Sequence, residues 1–285
     1  MRALIPWWAR IGAKLILSRL PAGYDLWRRL NVFAHGAMDR PDYALRVFQQ
    51  HYAHVQTPSG GEFAALELGP GDSLTSALIA AAHGASHTYL VDVGAFARSD
   101  PAVYHYAARR LGELGVHPPA LDDACDLDSL LRTCRSSYHT EGLRSLRQIP
   151  AASVDFIWSH AVLEHVRRSE FLDFVRETRR IVRAGGVCSH QIDLQDHLGG
   201  ALNNLRISSR WWETGWMASS GFYTNRLRMP ELIDMFESAG FSVKGVNAVR
   251  WEVLPTPRHL LAREFQHFAA EDLLVKTFSV VLHPV

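Results

Sequence analysis

A short apolar run closed by glycines, with helical periodicity after it, opens the informative part of the chain. Residues 63–68 read FAALEL and lie between glycine-containing turns at 60–61 and 69–71, a pattern typical of a buried parallel strand. Asp72 or Ser73 can cap the helix that follows. Helical spacing is kept by four apolar residues, Leu74, Ala77, Leu78 and Ala81. The stretch therefore predicts strand, turn and helix, with free N–H groups and the positive end of the helix dipole facing the turn.

A second apolar run, residues 87–93 with sequence HTYLVDV, ends in an acid. Asp92 lies 21 residues after Gly71, the position from which a carboxylate accepts hydrogen bonds from ribose hydroxyls. The two runs together predict a cofactor that contains adenosine. A dinucleotide fingerprint needs a third glycine at position 74, where the chain has Leu74, and Glu67 would repel a pyrophosphate. A carboxylate at position 67 suits a ligand that carries an ammonium group.

The sequence ELGPGDS, residues 67–73, resembles the E/DxGxGxG motif of class I S-adenosylmethionine-dependent methyltransferases, with Ser73 in place of the third glycine. The resemblance implies a doubly wound, mostly parallel seven-stranded α/β sheet of Rossmann-like type, with S-adenosylmethionine as cofactor. It places the 69–71 turn against the aminoacyl part of the cofactor and Asp92 at the ribose. Glu67 would hold the aminoacyl end, directly or through water. The cofactor residues implied by this block are Glu67, Gly69, Pro70, Gly71, Ser73, Asp92 and Val93.

Two further blocks continue the resemblance. Residues 149–166, IPAASVDFIWSHAVLEHV, are similar to the fourth strand of the family, which opens onto the cofactor at Ser159 and His160. Residues 179–194, RRIVRAGGVCSHQIDL, are similar to the Gly-Gly turn and fifth strand, with Ala184 where the family usually has proline.

The third strand is expected near residues 137–139, after helices near 102–114 and 121–131. The resemblance implies that Glu141 and Gly142 lie beside the adenine amino group. A surface-loop glutamate is the alternative for Glu141.

Candidate catalytic groups lie after strands four and five. A general base helps methyl transfer when the acceptor is a hydroxyl, and His190, Asp193 and His165 are the predicted candidates. A structural role for Glu164-His165 is the alternative, since LEHV is widespread in the family.

Some relatives carry an E-x-x-E-H set that binds a divalent ion with a later histidine. Position 161 is alanine instead of the first glutamate, so we expect no metal, although His160 and Glu164 would share a helical face at i, i+4.

Three regions are predicted from these blocks. Residues 1–58 form a helical N-terminal cap, residues 59–285 form the methyltransferase domain, and residues 195–229 form an aromatic-rich insertion on the acceptor side. The first helix is indicated by Leu4, Trp8, Ile11 and Leu15, with positive charge from Arg2, Arg10, Lys14 and Arg19. It is read as a cap over the site, with peripheral contact of residues 1–20 with a membrane as the alternative.

Composition narrows the class of protein. The chain has 285 residues, a net charge of +1 and a pI near 7.9, so its overall charge does not indicate a nucleic-acid-binding protein. Its three cysteines form no CxxC pair, which indicates a reducing compartment, and no apolar run approaches the roughly 18 residues of a membrane span. We expect a cytoplasmic protein.

The prediction is a methyltransferase that acts on a small-molecule or glycan-type acceptor, on oxygen. Two alternatives stay open: a nicotinamide-dependent oxidoreductase or epimerase, and a non-catalytic protein that keeps the cofactor pocket.

Overall fold

A computed structural model describes residues 7–9, 11–12, 37–55, 61–122 and 126–285 of the chain. These residues form a seven-stranded sheet in the order β3-β2-β1-β4-β5-β7-β6. The strands are β1 Phe63–Leu68, β2 Ala85–Val91, β3 Ser136–His139, β4 Val154–His160, β5 Val182–Asp193, β6 Phe241–Arg250 and β7 Val275–Pro284. Strands β1 to β5 pair in parallel, and β7 runs antiparallel to both β5 and β6. This confirms the predicted doubly wound, mostly parallel α/β fold.

Helices cover both faces of the sheet. They are α1 Pro41–Tyr52, α2 Thr75–Ala82, α3 Pro101–Glu113, α4 Leu127–Thr133, α5 Leu143–Gln148, α6 Phe171–Ile181, α7 Ser209–Trp212, α8 Gly215–Ala218, α9 Met229–Ser238 and α10 Ala270–Leu273. On one face, Phe48 of α1 packs on Phe156 and Trp158 of β4. On the other, Phe236 of α9 packs with Phe278 of β7 in a second core. Because β1 is buried along its whole length between these layers, all of its residues except Glu67 are apolar.

Two elements differ from their predicted positions, and each difference has a local cause. The helix expected near 121–131 begins at Leu127, because the Asp126 carboxylate accepts a hydrogen bond from the Ser129 N–H and caps it there. After β4 the chain does not enter an α-helix. Ala161 has a left-handed φ of 56°, and only a single 3₁₀ turn follows at Leu163–His165. The predicted helical face shared by His160 and Glu164 is therefore wrong.

The segment between β5 and α9 builds its own small core. Trp212, Phe222 and Tyr223 pack there with Ile11 from the N-terminal region. Ile11 is buried whereas Trp8 is 64% exposed, so these two residues of the predicted stripe do not share a buried face. Leu4 and Leu15, and most of residues 1–58, lie outside the described residues. The domain boundaries stay predictions.

Candidate cofactor and acceptor site

The glycine turn after β1 has a backbone that requires glycine. Gly69 and Gly71 have φ values of 70° and 68°, in the left-handed region. A Cβ atom added to Gly69 would lie 2.5 Å from Cγ2 of Val162, in the segment after β4. The turn is thus pressed against the carboxyl end of β4, at the edge of the sheet where ligands bind in folds of this type.

Asp92 holds this turn to the end of β2. Its Oδ2 accepts a hydrogen bond from the Gly71 N–H at 3.0 Å, and its Oδ1 accepts one from the Val93 N–H at 2.7 Å. The Gly142 N–H donates to the Asp92 carbonyl oxygen at 2.8 Å, which brings the end of β3 to the same place. Asp92 therefore joins the ends of β1, β2 and β3 at one point of the sheet edge.

Glu67, near the end of β1, is buried beside the glycine turn. The Ser76 hydroxyl of α2 donates a hydrogen bond to its carboxylate. Burial raises the pKa of Glu67 to about 8, against the opposing effect of the Ser76 hydrogen bond. The carboxyl is therefore mostly neutral near pH 7 when no cation lies beside it.

The remaining predicted cofactor residues differ in exposure. Val93 is 78% exposed, and its Cγ1 lies 3.1 Å from where a Cβ of Gly142 would be. Glu141 is exposed and pairs with Arg144 at 3.6 Å. Ser73 is fully buried, and its hydroxyl lies 2.8 Å from that of Thr75 at the start of α2. The Ser73 side chain thus points into the protein interior, at the start of α2.

Ser159 and His160, at the end of β4, point to opposite faces of the sheet. The buried Ser159 hydroxyl lies 2.8 Å from Nδ1 of His190. His160 lies on the α1 side, with its Nδ1 3.4 Å from Nε2 of His51 and its ring edge-on to Tyr43. Burial lowers the pKa of His160. A side-chain contact with a ligand at this edge is thus open to His160 and closed to Ser159.

Sequence reasoning missed the part that α1 takes in this edge. His51 is buried, and its Nδ1 lies 2.8 Å from the Ser189 hydroxyl of β5. Burial, with smaller contributions from His160 and His190, lowers the pKa of His51 to about 3. His51 is therefore neutral and joins α1 to β4 and β5. A sequence signal for this pairing does not exist, since the partners lie 138 positions apart.

The three predicted catalytic residues lie in different environments. His190 is buried, stacks on Phe236 of α9, and has its pKa lowered to about 3 by burial. Asp193 is partly exposed, and its Oδ1 accepts hydrogen bonds from the N–H and side-chain amide of Gln195. His165 is exposed. Asp193 and His165 thus lie on the accessible side, and His190 lies in the core.

His165 belongs to a cluster with Glu164 and His197, in which one ligand atom from each residue lies within 4.8 Å of the others. Nδ1 of His165 is 2.8 Å from the carbonyl oxygen of Tyr223. A carbonyl only accepts, so Nδ1 carries a proton, and in the neutral ring Nε2 is then the acceptor. The three residues are of the types that ligate a divalent metal.

Glu164 is 2% exposed, and neither of its carboxylate oxygens has a hydrogen-bond partner among the described residues. Burial raises the pKa of Glu164 well above its usual value; the backbone N–H groups of Glu164 and Asp193 act against this, and the negative charge of Asp193 adds to it.

A cavity of about 10 Å³ adjoins this carboxylate. It is lined by Glu164, Asp193, Leu194, Gln195, Asn204, Thr224, Asn225, Arg226 and Leu227. Oδ1 of Asn204 is also buried without a hydrogen-bond partner in the described structure. The lining is partly polar and includes oxygens of Glu164 and Asn204 that no described residue satisfies.

The insertion is fastened over the loop after β4. The Asn225 N–H donates to the Glu164 carbonyl at 2.7 Å, and the Asn225 amide donates to the Leu163 carbonyl at 2.8 Å. Asp196 accepts hydrogen bonds from several N–H groups of the loop, at Leu198, Gly199, Gly200 and Asn203. The Asp196 carboxylate therefore fixes the conformation of the loop after β5.

Residues 66–189 match the family model described as a methyltransferase domain. This segment carries the glycine turn, Asp92 and strands β2 to β4 of the sheet. Residues 66–189 are thus similar to a methyltransferase domain, which supports the predicted resemblance to class I S-adenosylmethionine-dependent methyltransferases. The cofactor of the chain is S-adenosylmethionine.

Distant similarity to solved structures accompanies this match. One is a SAM-dependent methyltransferase from Methanosarcina mazei, with 15% identity over 79% of this chain and 93% of that chain and a TM-score of 0.48. Another is a putative S-adenosylmethionine-dependent methyltransferase from Listeria monocytogenes, with 13% identity, 86% and 96% coverage and a TM-score of 0.45. A third is geranyl diphosphate C-methyltransferase from Streptomyces coelicolor, with 12% identity, 86% and 79% coverage and a TM-score of 0.47. No curated protein sequence matches the chain.

The methyltransferase has its glycine turn, Asp92 and His160 at one edge of the sheet, and Asp193 and His165 on the side of the insertion. His197 and Asn204, which lie in the cluster and at the cavity, do not belong to the three predicted catalytic residues. None of the helices in the described ranges is long and apolar enough to span a membrane.

Proposed function

We propose that this methyltransferase moves a methyl group from S-adenosylmethionine to an oxygen of a small-molecule or glycan-type acceptor. The observation that carries the proposal is the small void between the loop after β4 and the insertion, where side-chain oxygens of Glu164 and Asn204 lack a hydrogen-bond partner among the described residues. Its volume of about 10 Å³ suits a single water-sized group, so it would receive one hydroxyl of a larger acceptor. An acceptor that bears a hydroxyl would satisfy these oxygens, whereas an apolar acceptor would not.

The proposed cofactor site is the edge formed by the ends of β1, β2, β3 and β4. Asp92 would accept the ribose hydroxyls, Glu67 would face the aminoacyl end, and the exposed Val93 would cover the adenine. The full proposed set is Glu67, Gly69, Pro70, Gly71, Ser73, Asp92, Val93, Glu141, Gly142, Ser159 and His160. Because the side chains of Ser73 and Ser159 are turned into the core, any contact from them would come from their backbone.

The reaction is an in-line displacement. The acceptor oxygen forms a bond to the methyl carbon, the carbon–sulfur bond breaks, and its electron pair stays on the sulfur of S-adenosylhomocysteine. The hydroxyl proton goes to a base. Asp193, which lines the cavity, is the proposed base, and Nε2 of His165 is proposed to contact the same hydroxyl. His190, neutral and stacked on Phe236, is left with a packing role in this scheme.

The proposal is tested by transfer of a labelled methyl group to a panel of polyhydroxylated and apolar acceptors. Asn204→Ala should lower kcat/KM for the active acceptor by about tenfold, the cost of one hydrogen bond to a buried group, with cofactor affinity unchanged. Gln266→Ala, in the loop before α10, is the matched control. Transfer to carbon or nitrogen only, or cofactor binding with no transfer to any acceptor, would overturn it; the second result would favour the non-catalytic alternative.

We propose further that the N-terminal region lies beside the insertion as a cap. Trp7 packs under the Arg206 guanidinium, 4.6 Å from its ring centroid, and Ile11 joins the core of the insertion. Contact of residues 1–20 with a lipid surface is the alternative, supported by the exposed Trp8. A cytoplasmic location is proposed on the cysteine pattern alone.

A further inference from the structure

We infer that Glu164, His165 and His197 hold a divalent first-row metal ion that binds the oxygen of the acceptor. The three residues come from two places, the 3₁₀ turn after β4 and the loop after β5. The identity of the bound oxygen rests on the proposed function. The presence of the ion rests on the cluster alone.

The spacing of the cluster is close to that of a metal site. One ligand atom of each residue lies within 4.8 Å of the other two. Ligands about 2.1 Å from a common ion lie roughly 3 to 4.2 Å from one another. The limit of 4.8 Å exceeds the longest of those distances by about 0.6 Å.

The Glu164 carboxylate gives an independent reason for a cation here. It is 2% exposed, and both oxygens lack a hydrogen-bond partner within the described ranges. A buried carboxyl without partners is costly for the fold. An ion coordinated by these oxygens would satisfy them and offset that cost.

The orientation of His165 is that of a ligating histidine. Its Nδ1–H donates to the Tyr223 carbonyl at 2.8 Å, so in the neutral ring Nε2 is the nitrogen that can ligate a metal. Histidines that bind metals donate their other nitrogen in this way almost always, because it fixes the ring and the tautomer. The His197 ring lies edge-on to His165, with centroids 4.7 Å apart.

The ligand types select the metal. Two imidazole nitrogens and one carboxylate suit Zn²⁺, Mn²⁺ or Fe²⁺, whereas Mg²⁺ and Ca²⁺ favour oxygen ligands. Three protein ligands leave coordination positions open. An acceptor hydroxyl in an open position would lose its proton more readily, since a bound cation lowers the pKa of a coordinated oxygen. The acceptor oxygen would thus contact the ion bound by His165, instead of Nε2 of His165 itself. Asp193 would take the proton of the acceptor hydroxyl.

The test uses the full chain after chelator treatment, without cofactor or acceptor. Titration with Zn²⁺ by calorimetry, and with Mn²⁺ by electron paramagnetic resonance, should show one saturable site, with Mg²⁺ at least tenfold weaker. Glu164→Gln and His197→Asn should each weaken binding by at least tenfold. His259→Asn, at an exposed histidine outside the cluster, should bind as the parent protein does.

Absence of a saturable site, or equal binding by the parent and both variants, would overturn the inference. Circular dichroism checks that each variant is folded; if Glu164→Gln is not, His197→Asn decides. Binding of S-adenosylmethionine to the metal-free chain is measured separately. A chain that binds cofactor but no metal would refute this inference alone, and a chain that binds metal but transfers no methyl group would refute the proposed function alone.

Discussion

The N–H of Gly71 and the carboxylate of Asp92 are hydrogen-bonded at 3.0 Å, across 21 positions of the chain. The bond joins the turn after β1 to the end of β2. One side chain therefore shapes the glycine turn and offers acceptors at the same edge of the sheet. Its substitution should affect both the apo-protein and the bound cofactor.

Asp92→Ala should weaken S-adenosylmethionine binding by roughly 10- to 150-fold, since hydrogen bonds to a charged group contribute about 1.5–3 kcal/mol. Calorimetric titration measures this. Asp173→Ala is the control, because that side chain is exposed on α6, pairs with Arg176 and lies outside the proposed cofactor set; we expect less than threefold. Equal losses for the two variants would contradict the placement of the ribose at Asp92.

Cofactor binding should release protons near pH 7. Glu67 has a pKa of about 8 in the ligand-free protein, so it is mostly protonated there. An ammonium group beside it favours the charged carboxylate and drives the proton off. Calorimetry in buffers with different ionisation enthalpies counts the protons. Glu67→Gln should abolish the release, and a parent protein that releases none would refute the contact.

The same carboxyl should make the ligand-free protein less stable as pH rises. In the unfolded chain Glu67 ionises near its usual value of 4.5, whereas in the folded protein it holds its proton up to about pH 8. The unfolded state therefore binds fewer protons across that window, and stability falls with increasing pH. Denaturation of Glu67→Gln should show a smaller fall between pH 5 and pH 8.

Gly69→Ala should destabilise the protein by more than backbone strain alone. A left-handed residue other than glycine costs about 1–2 kcal/mol, and the new Cβ would also meet Val162 at 2.5 Å. Gly115→Ala is the matched control, with φ of 79° and nothing within 4 Å of the added atom. Adding Val162→Ala to Gly69→Ala should remove this contact. The double variant should therefore lose less free energy of unfolding than the two single variants lose in sum. Denaturant unfolding of the four variants measures the coupling.

Arg226 should prove to be a residue of the insertion's core. It is buried, donates to the Ile207 carbonyl at 2.6 Å, lies over the rings of Trp212 and Phe265, and has its pKa lowered to about 10 by burial. Arg226→Gly keeps the left-handed backbone, φ 60°, without strain, and should still cost about 3 kcal/mol. Trp211→Ala, at a side chain 67% exposed, should change stability by no more than about 0.5 kcal/mol. Similar unfolding midpoints for both variants would be the contrary result.

The sequence predicts the parts of this protein that depend on local patterns. The apolar run at residues 63–68 is β1, and the acid at 92 lies beside the glycine turn as the spacing indicated. The joining of His51 to Ser189 and of Glu164 to His197 depends on tertiary packing, which leaves no periodic trace. The left-handed Ala161 is also unpredictable from local preference, since alanine is a strong helix former.

Strand β6 reaches the rest of the sheet only through β7, which lies between it and β5. On the ribosome, β6 is made before β7. During that interval its backbone N–H and carbonyl groups have no neighbouring strand to pair with, and the parallel part of the sheet is already complete on the other side. A released chain that ends between residues 251 and 274 would thus carry a finished cofactor edge beside an open strand edge, the kind of edge on which chains aggregate and chaperones act.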